Sequence, residues 1–148
     1  MAKLNYMDVA KYLYQNTNNN MSNLKLQKMM FFAYIKYYEK YGEELFDDEF
    51  EAWVYGPVLP DLYYSFYRLF LIEDNKDDQN IKDKNIKDVL NEVIKEYDNK
   101  GAFELVKISH EHFIWQKARN GLDEFEPSNN KLNIKKHLNE NIKTKIRK

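Results

Sequence analysis

The sequence predicts a mostly helical fold, an all-α bundle of about six or seven helices with one short extended or irregular segment near residues 50–58. Three observations carry this expectation. The 148 residues contain only four glycines and three prolines, too few for the many tight turns of an all-β domain. Apolar residues recur at helical spacing along most of the chain. The run from Met29 to Ile35 is apolar on every side, so a helix there must be surrounded by protein. A chain of this length removes roughly 68–70% of its unfolded surface from water, and residues 1–148 are expected to form a single domain. Twelve Tyr, nine Phe and two Trp make its core aromatic rather than aliphatic.

The elements follow in order. Asn5 can cap a first helix in which Tyr6, Val9, Ala10 and Leu13 form one stripe, ending in the polar run Gln15 to Asn20. Ser22 or Asn23 can cap the central helix, residues 24–41, which Gly42 stops. Glu43 to Asp48 form an acidic loop. Apolar Phe50, Ala52 and Val54 then alternate with Glu51, Trp53 and Tyr55, and Gly56-Pro57 forces a turn, because glycine weakens helix and proline restricts the residue before it. On this reading Trp53 and Tyr55 anchor the segment on the central helix. Pro60 suits the first position of a third helix, with Asp61 at its positive end. Leu62, Tyr63, Phe66, Tyr67, Leu69 and Phe70 share a broad face of it. Residues 73–80 read as a solvated connector. A fourth helix carries Ile86, Val89, Leu90, Val93, Ile94 and Tyr97 and ends near Gly101. A short fifth has Phe103, Leu105, Val106 and Ile108, and a sixth runs from about Ser109, its cap, to Gly121. Beyond Pro127 a basic last helix, about 132–148, repeats Ile134, Leu138, Ile142 and Ile146 every fourth residue.

Much chemistry is excluded. Without cysteine there is no disulfide, thiolate nucleophile or Cys-based zinc site. The amino terminus has no apolar h-region, and no apolar run approaches the ~20 residues of a membrane span, so a cytoplasmic protein is expected. No P-loop, dinucleotide fingerprint or serine elbow occurs. His110 and His112 are two apart and diverge on a helix, so no metal is expected; His110 would cap or pack and His112 would be exposed. Asp47, Asp48, Glu49 and Glu51 read as a solvated acidic loop. Neither a cofactor nor enzymatic turnover is expected. The formal net charge of −1 conceals a polarity, since residues 131–148 hold seven Lys or Arg against one Glu. Lys135, Lys136, Lys143, Lys145, Arg147 and Lys148 could neutralise nucleic-acid phosphates, although the apolar stripe and near-neutral total charge weigh against it. Tyr37, Tyr38, Tyr41, Tyr63, Tyr64 and Tyr67 divide between core and contact surface.

LKLQKMMFFAY at 24–34, followed by LFDDEFEAWVYGPVLPDLY at 45–63, resembles the Panacea domain, the SocA-like antitoxin family also described as phage-associated. The matching positions are Lys25, Leu26, Gln27 and Lys28, then Glu51, Ala52, Trp53, Tyr55, Gly56, Pro57, Val58, Pro60 and Tyr63. A third element is matched by Ser109, His110 and Trp115, with Ile114 where proline is usual. The resemblance spans about residues 4–121. It implies a compact helical domain that neutralises a protein toxin by stoichiometric binding, in some members as an adaptor presenting the toxin to a protease. Two alternatives stay open: a phage-encoded anti-defence inhibitor of a host nuclease or similar effector, and a nucleic-acid-binding regulator acting through the basic helix. Lys25, Gln27, Lys28 and Tyr63 are the candidates for partner contact. Leu26, Glu51, Trp53, Tyr55, Gly56, Pro57, Val58, Pro60, His110 and Trp115 are expected to be scaffold.

Overall fold

A computed structural model describes residues 4–17, 21–71 and 81–147, and the side chains of these except 70, 71 and 141–147. The expected connector at 73–80 and Lys148 lie outside the described residues.

Helix α1 (Tyr6–Asn16) starts where expected, with Asn5 Oδ1 accepting the Met7 N–H at 2.8 Å, and it buries Val9, Ala10 and Leu13. Helix α2 (Asn23–Tyr41) is capped by Ser22, whose Oγ accepts the Lys25 N–H at 3.1 Å. Gly42 ends it at φ 68°, donating its N–H to the Tyr38 carbonyl at 2.8 Å. Every residue from Met29 to Ile35 is buried, because α2 is packed by α1, a hairpin and four further helices. Its lack of a polar face is thereby explained.

The extended segment is a true β-hairpin, so the fold is predominantly helical rather than all-α. Strands β1 (Glu51–Trp53) and β2 (Gly56–Val58) pair antiparallel as Glu51↔Val58, Ala52↔Pro57 and Trp53↔Gly56. The turn is therefore Val54-Tyr55, a step earlier than predicted, and Gly56 and Pro57 belong to β2. Proline is tolerated because Ala52, opposite it, spends its N–H on the Asn130 carbonyl at 2.8 Å, so this pair needs no cross-strand bond from residue 57. The outer side of β1 is completed by residues 130–132, where the Leu132 N–H meets the Phe50 carbonyl at 3.0 Å.

Helix α3 (Pro60–Ser65) runs into a 3-10 turn, Phe66–Leu71. Of the expected face Leu62 and Leu69 are buried, whereas Tyr63 and Tyr67 are exposed, as is Tyr64 beside them. Helix α4 (Lys84–Tyr97) is capped by Asp83 and buries Ile86, Val89, Leu90 and Val93. Helices α5 (Ala102–His110) and α6 (Phe113–Ala118) meet at residues 111–112. Gly101 precedes α5 rather than ending α4. Ser109 lies buried within α5, its Oγ donating to the Val106 carbonyl at 2.7 Å, while half-buried His112 caps α6 by accepting the Ile114 N–H at 3.2 Å. These correct the expected cap at Ser109 and the expected exposure of His112. Helix α7 (Ile134–Arg147) buries Ile134 and Leu138; the side chains of Ile142 and Ile146 lie outside those described.

One cluster of buried side chains joins these elements. Phe31 meets Phe50 edge-to-face at 5.8 Å, and Phe32 stacks on Tyr97 at 4.4 Å. Inward tyrosines find acceptors, Tyr12 donating to Asn91 Oδ1 at 2.7 Å and Tyr38 to Asn139 Oδ1 at 2.9 Å. Among the described residues no helix is long and apolar enough to cross a membrane.

Candidate functional site

The polar residues at the start of α2 point inward. Lys28 is fully buried and donates from Nζ to the Pro57 carbonyl at 2.9 Å. Burial lowers its pKa to about 7. Gln27 acts twice: Oε1 accepts the Leu59 N–H at 2.9 Å and Nε2 donates to Asn23 Oδ1 at 3.0 Å. Asn23 in turn donates to the Tyr63 carbonyl at 2.9 Å. Leu59 precedes Pro60 at the head of α3, where no side-chain cap serves the helix, so Gln27 meets a buried backbone N–H there while Asn23 extends the relay to the surface. Lys25 Nζ lies 2.6 Å from the Asp98 carbonyl and 3.7 Å from its carboxylate, a cation at the C-terminal end of α4. Leu26 joins the core. Of the four residues expected at a partner surface, Tyr63 alone is substantially exposed; the other three hold the chain together from within.

The remaining motif residues close the opposite side of the hairpin. Trp115 Nε1 donates to the Trp53 carbonyl at 3.2 Å, and the His110 ring stacks on Trp115 at 3.9 Å. Burial lowers the His110 pKa, with Lys28 and Arg119 adding and the Val54 backbone opposing. His112 packs against Phe31 instead, at 5.4 Å, and burial lowers its pKa too, so the two imidazoles serve different rings. Sequence reasoning missed Arg119. Its Nη1 donates to the Ala52 carbonyl at 2.9 Å, and Nη2 to the Asp123 and Glu126 carbonyls at 3.0 and 2.7 Å. An arginine two positions before a glycine gave no local sign of this; only the hairpin's unmet carbonyl could have pointed to it. Gly56, at φ 108°, lets Lys28 and Ser109 approach the strand.

On its outer side the hairpin forms one wall of an open groove of about 980 Å³, lined among others by Asn23, Trp53, Tyr55, Val58, Pro60, Tyr63 and Tyr64. Trp53 does not anchor on α2 as expected. It sits half-buried, its ring 5.0 Å from Tyr63 and 6.3 Å from Tyr64, and its Nε1 donates to Glu51 Oε1 at 2.9 Å. Lys131 grips the other oxygen of Glu51 at 2.9 Å. Tyr55, at the hairpin tip, is 54% exposed and Tyr64 is 71% exposed. The groove is thus a surface of rings carried on the hairpin and the start of α3. The basic helix does not line it. Lys135 pairs with Glu44 at 3.9 Å in a separate depression that Lys136 shares, and the side chains of Lys143, Lys145 and Arg147 lie outside those described.

A family model described as antitoxin SocA-like, Panacea domain, matches residues 26–116, more than half the chain. The chain is a member of the Panacea-domain family. The matched span contains the α2 relay from Leu26 onward, the hairpin, the aromatic groove wall and Trp115. Antitoxin SocA of Caulobacter vibrioides (strain NA1000 / CB15N) is 44% identical over 46 residues, which are 31% of this chain and 24% of that protein. The aligned region therefore spans about a quarter of the relative's length. No solved structure matches. In this Panacea-domain protein Arg119 and residues 130–132 lie beyond the matched span, although they complete the hairpin. Among the described residues no group of three or more His, Asp or Glu could hold a metal ion.

Proposed function

We propose that this Panacea-domain protein is an antitoxin-like inhibitor that neutralises a protein toxin by stoichiometric binding, and that the Trp53–Tyr63–Tyr64 groove is the docking face. One observation carries the reading: the motif's polar groups are turned inward onto the hairpin, while its tyrosines are presented outward. Tyrosine and tryptophan supply large contact area at low entropic cost and dominate binding energy where proteins meet. The described groove lining is dominated by aromatic and apolar side chains, which favours contact with a macromolecule. Handing a toxin to a protease, or blocking a host effector during infection, would reuse the same docking event.

The test is co-expression with an adjacent reading frame whose product arrests growth. The wild-type chain should restore growth and co-elute with the toxin at a fixed molar ratio. Tyr64→Ala should fail to restore growth while its melting temperature stays within about 2 °C of wild type, since truncating an exposed side chain rarely alters stability. Protection that persists with toxin in large molar excess would indicate turnover and end the proposal. So would full protection by Tyr64→Ala combined with Trp53→Ala.

A further inference from the structure

The aromatic groove opens at one end onto carboxylates. Glu51 and Pro60 line both the groove and an adjoining depression, whose other walls include Asp47, Asp48, Glu49 and Asp61. Among the described lining residues of the two, the cation is Lys131, already 2.9 Å from Glu51. Among the described residues of this surface, Glu51 takes up that ammonium and Asp47 has an interaction of its own, which leaves Asp48, Glu49 and Asp61 as the acidic rim. Their crowding is felt within the protein: burial raises the Asp48 pKa, and Asp61 and Asp47 raise it further. Acids beside exposed rings suit one side-chain chemistry above others. A guanidinium or ammonium can lie on a Trp or Tyr face while a neighbouring carboxylate accepts its N–H.

We infer that the occupant of the Trp53–Tyr63–Tyr64 groove is a cationic segment of the partner protein, its Arg or Lys side chains directed to Asp48, Glu49 and Asp61 and its apolar side chains to the rings. The inference rests on the groove being the docking face. It adds the partner's charge, and with it a dependence on salt, since an acidic rim accelerates and selects a basic partner through long-range attraction.

Two dye-labelled peptides of about twelve residues test it against the full chain by fluorescence anisotropy, one alternating Arg with Leu and Tyr, the other carrying Glu at each Arg. At about 50 mM salt the Arg peptide should bind at least tenfold more tightly, and its affinity should fall as salt is raised. Asp48→Asn, Glu49→Gln and Asp61→Asn combined should weaken it at least tenfold without lowering the melting temperature, and Tyr64→Ala should weaken it too. Equal binding of both peptides, binding of neither, or indifference to the carboxylate substitutions overturns the inference. A chain that self-associates until those substitutions disperse it would instead assign the surface to the basic helix of a second copy. If Tyr64→Ala abolishes toxin neutralisation while the carboxylate-substituted chain retains it, the docking face stands and its cationic occupant falls; if Tyr64→Ala neutralises normally, the docking face itself is lost.

Discussion

A methyl group added to Gly56 would lie 2.6 Å from Ser109 Oγ and 2.7 Å from Lys28 Cε, on a backbone already at φ 108°. Both neighbours are buried and held by hydrogen bonds, so neither can yield cheaply. Gly56→Ala should therefore cost roughly 2–4 kcal/mol, combining a strained φ with overpacking, to be read from urea denaturation. Placing the same substitution at Gly42, which has nothing within 4 Å, should leave only the conformational part. The sequence marked Gly56 as special through its company of Trp, Tyr and Pro, but attributed it to a turn. The actual reason is a lysine stem 28 residues earlier and a serine 53 later, contacts that no local pattern can announce. Lys28 shows the same limit. A lysine at a helix start reads as solvated, and only its carbonyl partner on β2 turns it inward.

At the scale of elements, the hairpin is too short to stand alone, since an isolated two-stranded ribbon is marginal at best in water. It is held instead by other elements: Lys28 and Gln27 from α2, Trp115 from α6, and Arg119 beyond α6. Arg119 forks to three carbonyls, a geometry that a lysine ammonium cannot reproduce from one position. Arg119→Lys should cost about 2–3 kcal/mol, and amide hydrogen exchange should show residues 123–126 opening ahead of α2. Helix starts and stops were legible where they rest on local chemistry, as at Asn5, Ser22, Gly42 and Pro60. The break between α5 and α6 was foreseen but placed at Ser109 rather than at residues 111–112, because His112 as a cap resembles any other polar residue. The exposure of Tyr63, Tyr64 and Tyr67 was half legible, since a tyrosine's composition allows core or contact surface alike and only the packing decides.

For the whole molecule, the central apolar helix was the most legible feature, and the predominantly helical class followed from it. The ionisable groups buried around it give stability a definite pH profile. Lys28 releases its proton near pH 7 when folded but near its ordinary 10.5 when unfolded. Between these values the unfolded chain binds more protons, so stability rises with pH across that window, and below pH 7 the full cost of the buried ammonium is borne. His110 and His112, both lowered by burial, add a further loss as pH falls through 6.5. Tyr97, raised to about 12, and Tyr34, also raised, act in the other direction once unfolded tyrosines ionise above 10. The urea midpoint should therefore climb from pH 7 to a maximum at about 9.5 and fall beyond it. Lys28→Met should flatten the rising limb; an unchanged slope would mean that another group titrates there.

The strip at residues 130–132 lies outside the family match, yet it saturates the backbone of Phe50 and Ala52. A polypeptide trimmed to residues 26–116 would leave those amide and carbonyl groups bare, a ready template on which a second molecule could add a strand. Such a fragment should precipitate or form ladders of assemblies while the full chain stays dispersed, so the span that inheritance makes recognisable is smaller than the span that chemistry requires.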